Sequence, residues 1–144
     1  MQVLNAVIGA CARAGEPNQA LRLLREEFAR LNLEPDVISY NAAISAHAKA
    51  VPPDPAGALA LIESMPALGV QPDVISYNTA ISAFGRAGEW ERALELLREL
   101  PSLGLTADSV SFTAAISACA ESGQSQPAVD LLDEFRASGL RLST

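Results

Sequence analysis

Histidine and cysteine are scarce in this sequence: its 144 residues include one histidine, His47, and two cysteines, Cys11 and Cys119. The cysteines form no CxxC pair, so neither a disulfide framework nor a structural zinc site is predicted, and no metal or cofactor is expected. No Ser/His/Asp grouping, phosphate-binding glycine loop or metal-spaced carboxylate set stands out either. The sequence therefore favours a binding protein without catalytic residues over an enzyme.

Long apolar runs and positive charge are also lacking. No segment approaches the roughly 20 apolar residues that cross a bilayer, so no membrane partner is predicted. The first residues carry neither a signal-peptide pattern nor an Arg- and Ser-rich transit pattern. The formal net charge is −7. Taken alone, this charge argues against nucleic acid, because a polyanion normally binds a basic surface.

What the sequence does contain is a repeated phrase. Pro-Asp-Val-Ile-Ser-Tyr-Asn occupies residues 35–41 and returns at 72–78, and a drifted copy occupies 107–113. A period of about 35 residues indicates stacked helical hairpins in place of one globular core. Alignment of the copies predicts a single helical-repeat domain, 1–144, built from four units: 1–36, 37–73, 74–108 and 109–144.

Each unit is predicted to contain two helices. In the first helix of unit three, Tyr77, Ile81 and Phe84 follow one another at helical steps, and Ala93–Leu97 opens an amphipathic second helix. Glycine or proline-rich segments separate the two helices, and a residue that tolerates the left-handed conformation ends the second. These breaks are Gly15, 51–55, Gly88 and Gly123 within the units, and Asn32, Gly69, Gly104 and Gly139 between them.

A single hairpin cannot bury its apolar face, so neighbouring hairpins must stack. The sequence therefore predicts an all-α fold, an α-solenoid of four helix-turn-helix hairpins that form a superhelix of either hand. One extra residue within 25–28 is expected to loosen the end of unit one. Apolar ends at Met1 and Leu142 are expected to stack with further repeats or with another copy of the chain.

The repeated Val-Ile-Ser-Tyr-Asn phrase, the glycine after Arg-Ala, the Ala-Leu-Glu-Leu-Leu helix and the closing Pro-Asp together resemble the pentatricopeptide repeat family over the whole chain. The nearest rival, the tetratricopeptide repeat, has a Trp-Leu-Gly-Tyr pattern that no unit shows. The resemblance implies binding of single-stranded RNA with one base per repeat. It also implies a location in mitochondria or chloroplasts.

The family reads each base with the fifth residue of a first helix and the last residue of the same repeat. An Asn amide offers donors and an acceptor to a pyrimidine edge, and a carboxylate can orient that amide. In the family, Asn with Asp reads uracil, Thr signals a purine, and the RNA runs parallel to the protein, which implies a 5′-UUU-purine site. The implied reading pairs are Asn5 with Asp36, Asn41 with Asp73, Asn78 with Asp108, and Thr113 with Ser143, although Ser143 departs from the expected Asp or Asn.

Two further sets of residues are implied by the resemblance. The family clamps each base between apolar residues of adjacent first helices, a place held by Ile38, Ile75 and Val110 but by Gln2 in unit one. Cations recur near the ends of the first helices and suit an RNA phosphate backbone. These are Arg13, Lys49 and Arg86, with Glu121 in unit four, whereas most acidic residues fall on second helices.

Every assignment has a structural alternative. The asparagines can be packing or capping amides, and an Asp before a helix is a good N-cap. Cations at a helix C-terminus interact favourably with its dipole. The apolar clamp residues can belong to the core between repeats. His47, Cys11 and Cys119 share one helical place with Phe84, so they are predicted to be packing residues.

The sequence thus predicts sequence-specific binding of single-stranded RNA, in RNA processing, stability or translation, without enzymatic activity. The alternative is an α-solenoid scaffold for protein partners, since such solenoids offer extended concave surfaces and an acidic total suits a basic partner. An adaptor that stacks with other helical arrays through its open ends is a second alternative.

Overall fold

Eight helices follow one another in residues 2–139, the part of the chain that the computed structural model describes. Odd-numbered helices are the first helices of the units and even-numbered helices are the second. They are α1 (Gln2–Ala14), α2 (Pro17–Arg22, continuing through a π-helical segment Leu23–Glu27 and a last turn Phe28–Arg30), α3 (Val37–Lys49), α4 (Pro55–Ser64), α5 (Val74–Arg86), α6 (Trp90–Glu99), α7 (Ser109–Glu121) and α8 (Ser125–Ala137).

An aspartate begins each of α3, α5 and α7. The side chains of Asp36, Asp73 and Asp108 each accept the backbone N–H three residues later at 3.0 Å. In return, the serine at that later place accepts the aspartate's own N–H, which completes a capping box. Two N–H groups that the helix itself leaves unpaired are thereby satisfied. The predicted N-cap role of the three aspartates is confirmed.

Glycine ends three first helices as predicted. Gly15, Gly88 and Gly123 adopt φ values of 67°, 80° and 73°, which a residue with a Cβ reaches only at a cost. In unit two the proline-rich turn replaces this glycine, and the Asp54 N–H donates to the His47 carbonyl at 2.9 Å. In unit three, the Glu89 N–H donates to the Phe84 carbonyl at 2.8 Å. His47 and Phe84 hold equivalent positions in α3 and α5, so both turns bond back to the same position of the first helix.

The second helices end in left-handed residues, Asn32, Gly69, Gly104 and Gly139. After Asn32, Gly69 and Gly104, the next N–H donates back to the helix, as from Leu33 to the Phe28 carbonyl at 2.8 Å, in a Schellman motif. The extra residue of unit one does not loosen this turn, so that prediction was wrong. The π-helical segment Leu23–Glu27 accommodates it inside the helix, because a π turn closes over one residue more than an α turn.

The first helices stack on one another in chain order, and α2, α4 and α6 also pack against the first helix of the following unit. The core is continuous along this stack. Ile8, Ile44 and Ile81 hold the same place in α1, α3 and α5, and none has exposed surface. The predicted all-α solenoid of four stacked hairpins is therefore confirmed. The ends named above, Met1 and Leu142, lie outside the described residues.

Two negative findings apply to residues 2–139. No helix in this range is long and apolar enough to cross a bilayer. Within the same range, no group of three or more His, Cys, Asp and Glu side chains is arranged to hold a metal ion.

Candidate functional site

Each junction between stacked first helices holds an asparagine, an aspartate and a serine, which we call an amide cluster. In amide cluster 2, Asn41 Nδ2 donates to Asp73 Oδ1 at 3.2 Å, and Ser76 Oγ donates to Asn41 Oδ1 at 2.5 Å. Aspartate and serine belong to the capping box of α5, whereas the asparagine lies on α3. The helix cap of one unit is thus bonded to the predicted base-reading residue of the unit before it.

Amide cluster 3 repeats this geometry one unit later. Asn78 Nδ2 donates to Asp108 Oδ1 at 3.1 Å, and Ser111 Oγ donates to Asn78 Oδ1 at 2.5 Å. Asn78 is 6% exposed. The structure therefore brings the predicted pairs Asn41 with Asp73 and Asn78 with Asp108 together by a direct hydrogen bond.

Amide cluster 1 comprises Asn5, Asp36 and Ser39. Ser39 Oγ donates to Asn5 Oδ1 at 2.5 Å. Burial alone raises the pKa of Asp36, but hydrogen bonds from Ser39 and Asn5 outweigh it and hold that pKa below its usual value. The pKa of Asp108 is lowered against burial in the same way, by Ser111 and Asn78. Both carboxyl groups are therefore ionised acceptors at neutral pH.

Thr113 occupies the asparagine place in unit four. Its side chain is exposed, and its Oγ1 donates to the Ser109 carbonyl of its own helix at 2.7 Å. Its predicted partner Ser143 lies outside the described residues. The structure thus places three of the four predicted pairs and one member of the fourth.

The three predicted clamp residues are exposed. Ile38, Ile75 and Val110 are 62%, 57% and 52% exposed, respectively. Such exposure rules out the alternative that they form the core between repeats. Three large apolar side chains held in solvent at the same place of successive helices suit contact with a ligand, and clamping remains a prediction.

A groove of about 670 Å³ lies between α3, α5 and α7. This volume is within the range of ordinary ligand sites. Its lining includes residues from all three predicted roles: base clamping, base reading and phosphate binding. They are the clamp residues Ile75 and Val110, the reading residues Asn78, Asp108 and Thr113, and the cations Lys49 and Arg86, with Glu121 also in the lining.

The predicted phosphate-binding cations differ in setting from three arginines of the second helices. Within residues 2–139, Arg13, Lys49 and Arg86 form no ion pair, although Arg86 Nη1 donates to the Ala48 carbonyl at 3.0 Å. Arg13 lies beside Gly9. Gly9 holds the position in α1 that Ser45 and Ser82, which line the groove, hold in α3 and α5. By contrast, three second-helix arginines pair with carboxylates, namely Arg30 with Glu27, Arg92 with Glu95, and Arg98 with Glu134.

These cations also lie in the last turns of their helices. A favourable interaction with the helix dipole is therefore compatible with phosphate contact. Glu121 interrupts the series on α7, as the sequence indicated.

Sequence reasoning assigned no role to the serines of the amide clusters. Ser39, Ser76 and Ser111 have no exposed surface, and their hydroxyls link adjacent units. The signal was present, because a serine stands two places before the asparagine place in each copy of the repeated phrase.

His47 and the cysteines are packing residues, as predicted. His47 is 3% exposed, and its Nδ1 lies 2.8 Å from the Ala43 carbonyl. Cys119 is fully buried, which raises the pKa of its thiol, and Cys11 is partly buried against the core. A buried thiol with a raised pKa is unreactive.

Two family models match the sequence. The model described as PPR repeat family matches residues 72–121, and the model described as PPR repeat matches residues 3–26 and 110–140. Among curated proteins, none matches the chain.

Solved structures resemble the whole chain. PPR10 in complex with an 18-nt psaJ RNA element superimposes with a TM-score of 0.88 at 22% identity, over 98% of this chain and 20% of PPR10. PPR10 from maize gives 0.82 at 22% identity over 99% and 20%. The PPR domain of Arabidopsis thaliana protein-only RNase P 1, in complex with tRNA, gives 0.63 at 16% identity over 99% and 92%. The chain thus spans about a fifth of PPR10, and at these identities the likeness concerns the fold.

Proposed function

The chain belongs to the pentatricopeptide repeat family, and we propose that it binds single-stranded RNA in a sequence-specific manner along the surface of its first helices, one base per repeat. Two of the similar structures are described as complexes with an RNA element and with tRNA. That RNA is also the partner of this chain is our proposal.

The groove between α3, α5 and α7 is the observation that carries this proposal. It combines exposed apolar side chains, Ile75 and Val110, with the bonded pair Asn78 and Asp108. Apolar flanks suit the faces of a base, and an amide suits its hydrogen-bonding edge. No feature of a peptide scaffold requires these two kinds of contact to recur together.

The charge distribution is compatible with this partner despite the net charge of −7. Arg13, Lys49 and Arg86 lie on first helices without carboxylate partners in the described part of the chain. The acids Glu27, Glu95 and Glu134 lie on second helices, where they pair with arginines. A phosphate backbone along the first helices would therefore meet unneutralised cations.

We assign the bases in chain order. Amide clusters 1, 2 and 3 would read the first, second and third bases, with uracil at each, and Thr113 would read a purine at the fourth. The proposed site is 5′-UUU-purine, and the boundaries 1–36, 37–73, 74–108 and 109–144 remain part of this proposal. The family also favours a mitochondrial or chloroplast location and a role in RNA processing, stability or translation without catalysis by this chain.

The test is a fluorescence titration of the purified chain with labelled oligo-U, oligo-A and oligo-C at low salt. We expect oligo-U to bind more tightly than both others, because three of four units carry the Asn and Asp pair. Four repeats make few contacts, so absolute affinity should be weak and salt-sensitive. Equal binding of all three oligonucleotides, or no binding, would contradict base reading and favour the protein-scaffold alternative.

A further inference from the structure

The hydroxyl of each buried serine in the amide clusters lies within hydrogen-bonding distance of side chains from two neighbouring units. Ser76 Oγ lies 2.5 Å from Asn41 Oδ1 and 3.0 Å from Asp73 Oδ1. A hydroxyl has one proton, so it donates to one of these atoms. Asp73 Oδ1 already accepts the Ser76 backbone N–H and the Asn41 amide N–H. The proton is therefore directed to Asn41, the nearer acceptor.

The side-chain amides of Asn41 and Asn78 each retain hydrogen-bonding groups that a ligand can use. A carboxamide has two N–H donors and an oxygen with two lone pairs. In Asn41, Asp73 takes one donor and Ser76 takes one lone pair. Asp108 and Ser111 do the same for Asn78. One donor and one lone pair therefore remain on each amide for a base edge.

The orientation of that amide distinguishes the two pyrimidines. Uracil presents an oxygen acceptor beside its N3–H donor, whereas cytosine presents an amino donor beside its N3 acceptor. A half-turn of the amide exchanges its oxygen and nitrogen and so reverses which pyrimidine it fits. In amide cluster 2, such a turn would place Oδ1 against the Asp73 carboxylate and break the hydrogen bond from the Ser76 hydroxyl to the amide oxygen.

We propose that Ser76 and Ser111 are positioning residues for pyrimidine discrimination, because their buried hydroxyls hold the oxygens of Asn41 and Asn78 and keep each amide in the orientation that fits uracil over cytosine. Ser39 has the same role toward Asn5 in amide cluster 1. The inference rests on the proposed RNA binding and extends it to residues that do not themselves contact the base.

The test is Ser76→Ala, with dissociation constants measured for oligonucleotides that carry uracil or cytosine at the second base. We expect the preference for uracil at that base to fall about 3- to 10-fold, the value of one hydrogen bond. The preference at the third base should be unchanged. Ser111→Ala should give the reverse pattern, with the loss confined to the third base.

Two controls separate positioning from support of the helix. Ser76→Thr retains a hydroxyl and should retain the uracil preference. Ser102→Ala removes an exposed hydroxyl that donates to the Glu99 carbonyl at 2.6 Å, and it should change nothing. Both oligonucleotides meet the same sample, so the uracil-to-cytosine ratio is independent of the folded fraction.

Two results would overturn the proposed positioning role of the serines. If Ser76→Ala weakens both oligonucleotides equally and leaves the ratio unchanged, the serine only supports the cap of α5 and the inference is wrong, while the proposed function stands. If the unmodified chain itself shows no uracil preference at either base, base reading fails and this inference fails with it.

Discussion

The triple variant of Arg13, Lys49 and Arg86 to Ala is expected to bind every oligonucleotide about 100-fold more weakly than the unmodified chain at 0.1 M salt. Each phosphate contact to a single strand contributes about 0.7 to the slope of log affinity against log salt, so three contacts contribute about 2. The slope should therefore fall from about −2 to near zero. Because phosphates carry no sequence information, the loss should be equal for all base sequences.

A matched control removes the same charge from the second helices. Arg30, Arg92 and Arg98 are paired with carboxylates away from the groove, and exposed pairs of this kind contribute about 0–1 kcal/mol each. Their replacement by Ala should leave RNA affinity and its salt slope nearly unchanged. Equal losses in the two triple variants would show that net charge, and not the position of the first-helix cations, governs binding. Thermal melting checks that loss of the Arg86 bond to Ala48 does not unfold the protein.

Gly85→Ala is expected to destabilise the protein by about 1–2 kcal/mol. A Cβ at this place would lie 2.7 Å from the Ala118 Cβ and 3.2 Å from its Cα. Neither atom can move without shifting α7, and such overpacking costs about 1–3 kcal/mol. The higher helix propensity of alanine offsets part of this cost, by about 0.5–1 kcal/mol. Chemical denaturation of the two proteins measures the difference in unfolding free energy.

Gly9→Ala is the matched control, since Gly9 also lies within a first helix. Its added Cβ would meet only the flexible end of Arg13, at 3.7 Å. The propensity gain should then dominate and stabilise the protein by about 0.5–1 kcal/mol. A Gly85→Ala protein at least as stable as the unmodified chain would contradict the close packing of α5 on α7. Because Gly85 and Ala118 line the groove, the uracil preference at the third base should also weaken in this variant.

The solenoid could be predicted from the sequence because the same local signals of helix start, helix end and helix packing recur in successive units. Capping aspartates, left-handed glycines and helical spacing of apolar residues are local signals, and all three agreed in units two to four. The pairing of Asn41 with Asp73 was also predictable, but only from the family resemblance, since 32 residues separate the two.

Other features depended on packing between units. The role of Ser76 arises because the stacking of α5 on α3 places its hydroxyl against Asn41, and no local pattern reports that distance. The exposure of Ile75 likewise depends on which face of α5 is covered. The extra residue of unit one was visible, but whether it enters the turn or the helix is decided by the packing of α2.

The central claim is that an amide cluster reads one base, and Asn41→Thr tests it most directly. Affinities are measured for four oligonucleotides with uracil or guanine at the second or third base, with Asp73 kept in place. We predict that preference moves from uracil toward guanine at the second base only, and that Asn78→Thr moves it at the third base only. An unchanged preference at the second base, or equal changes at both bases, would contradict the account.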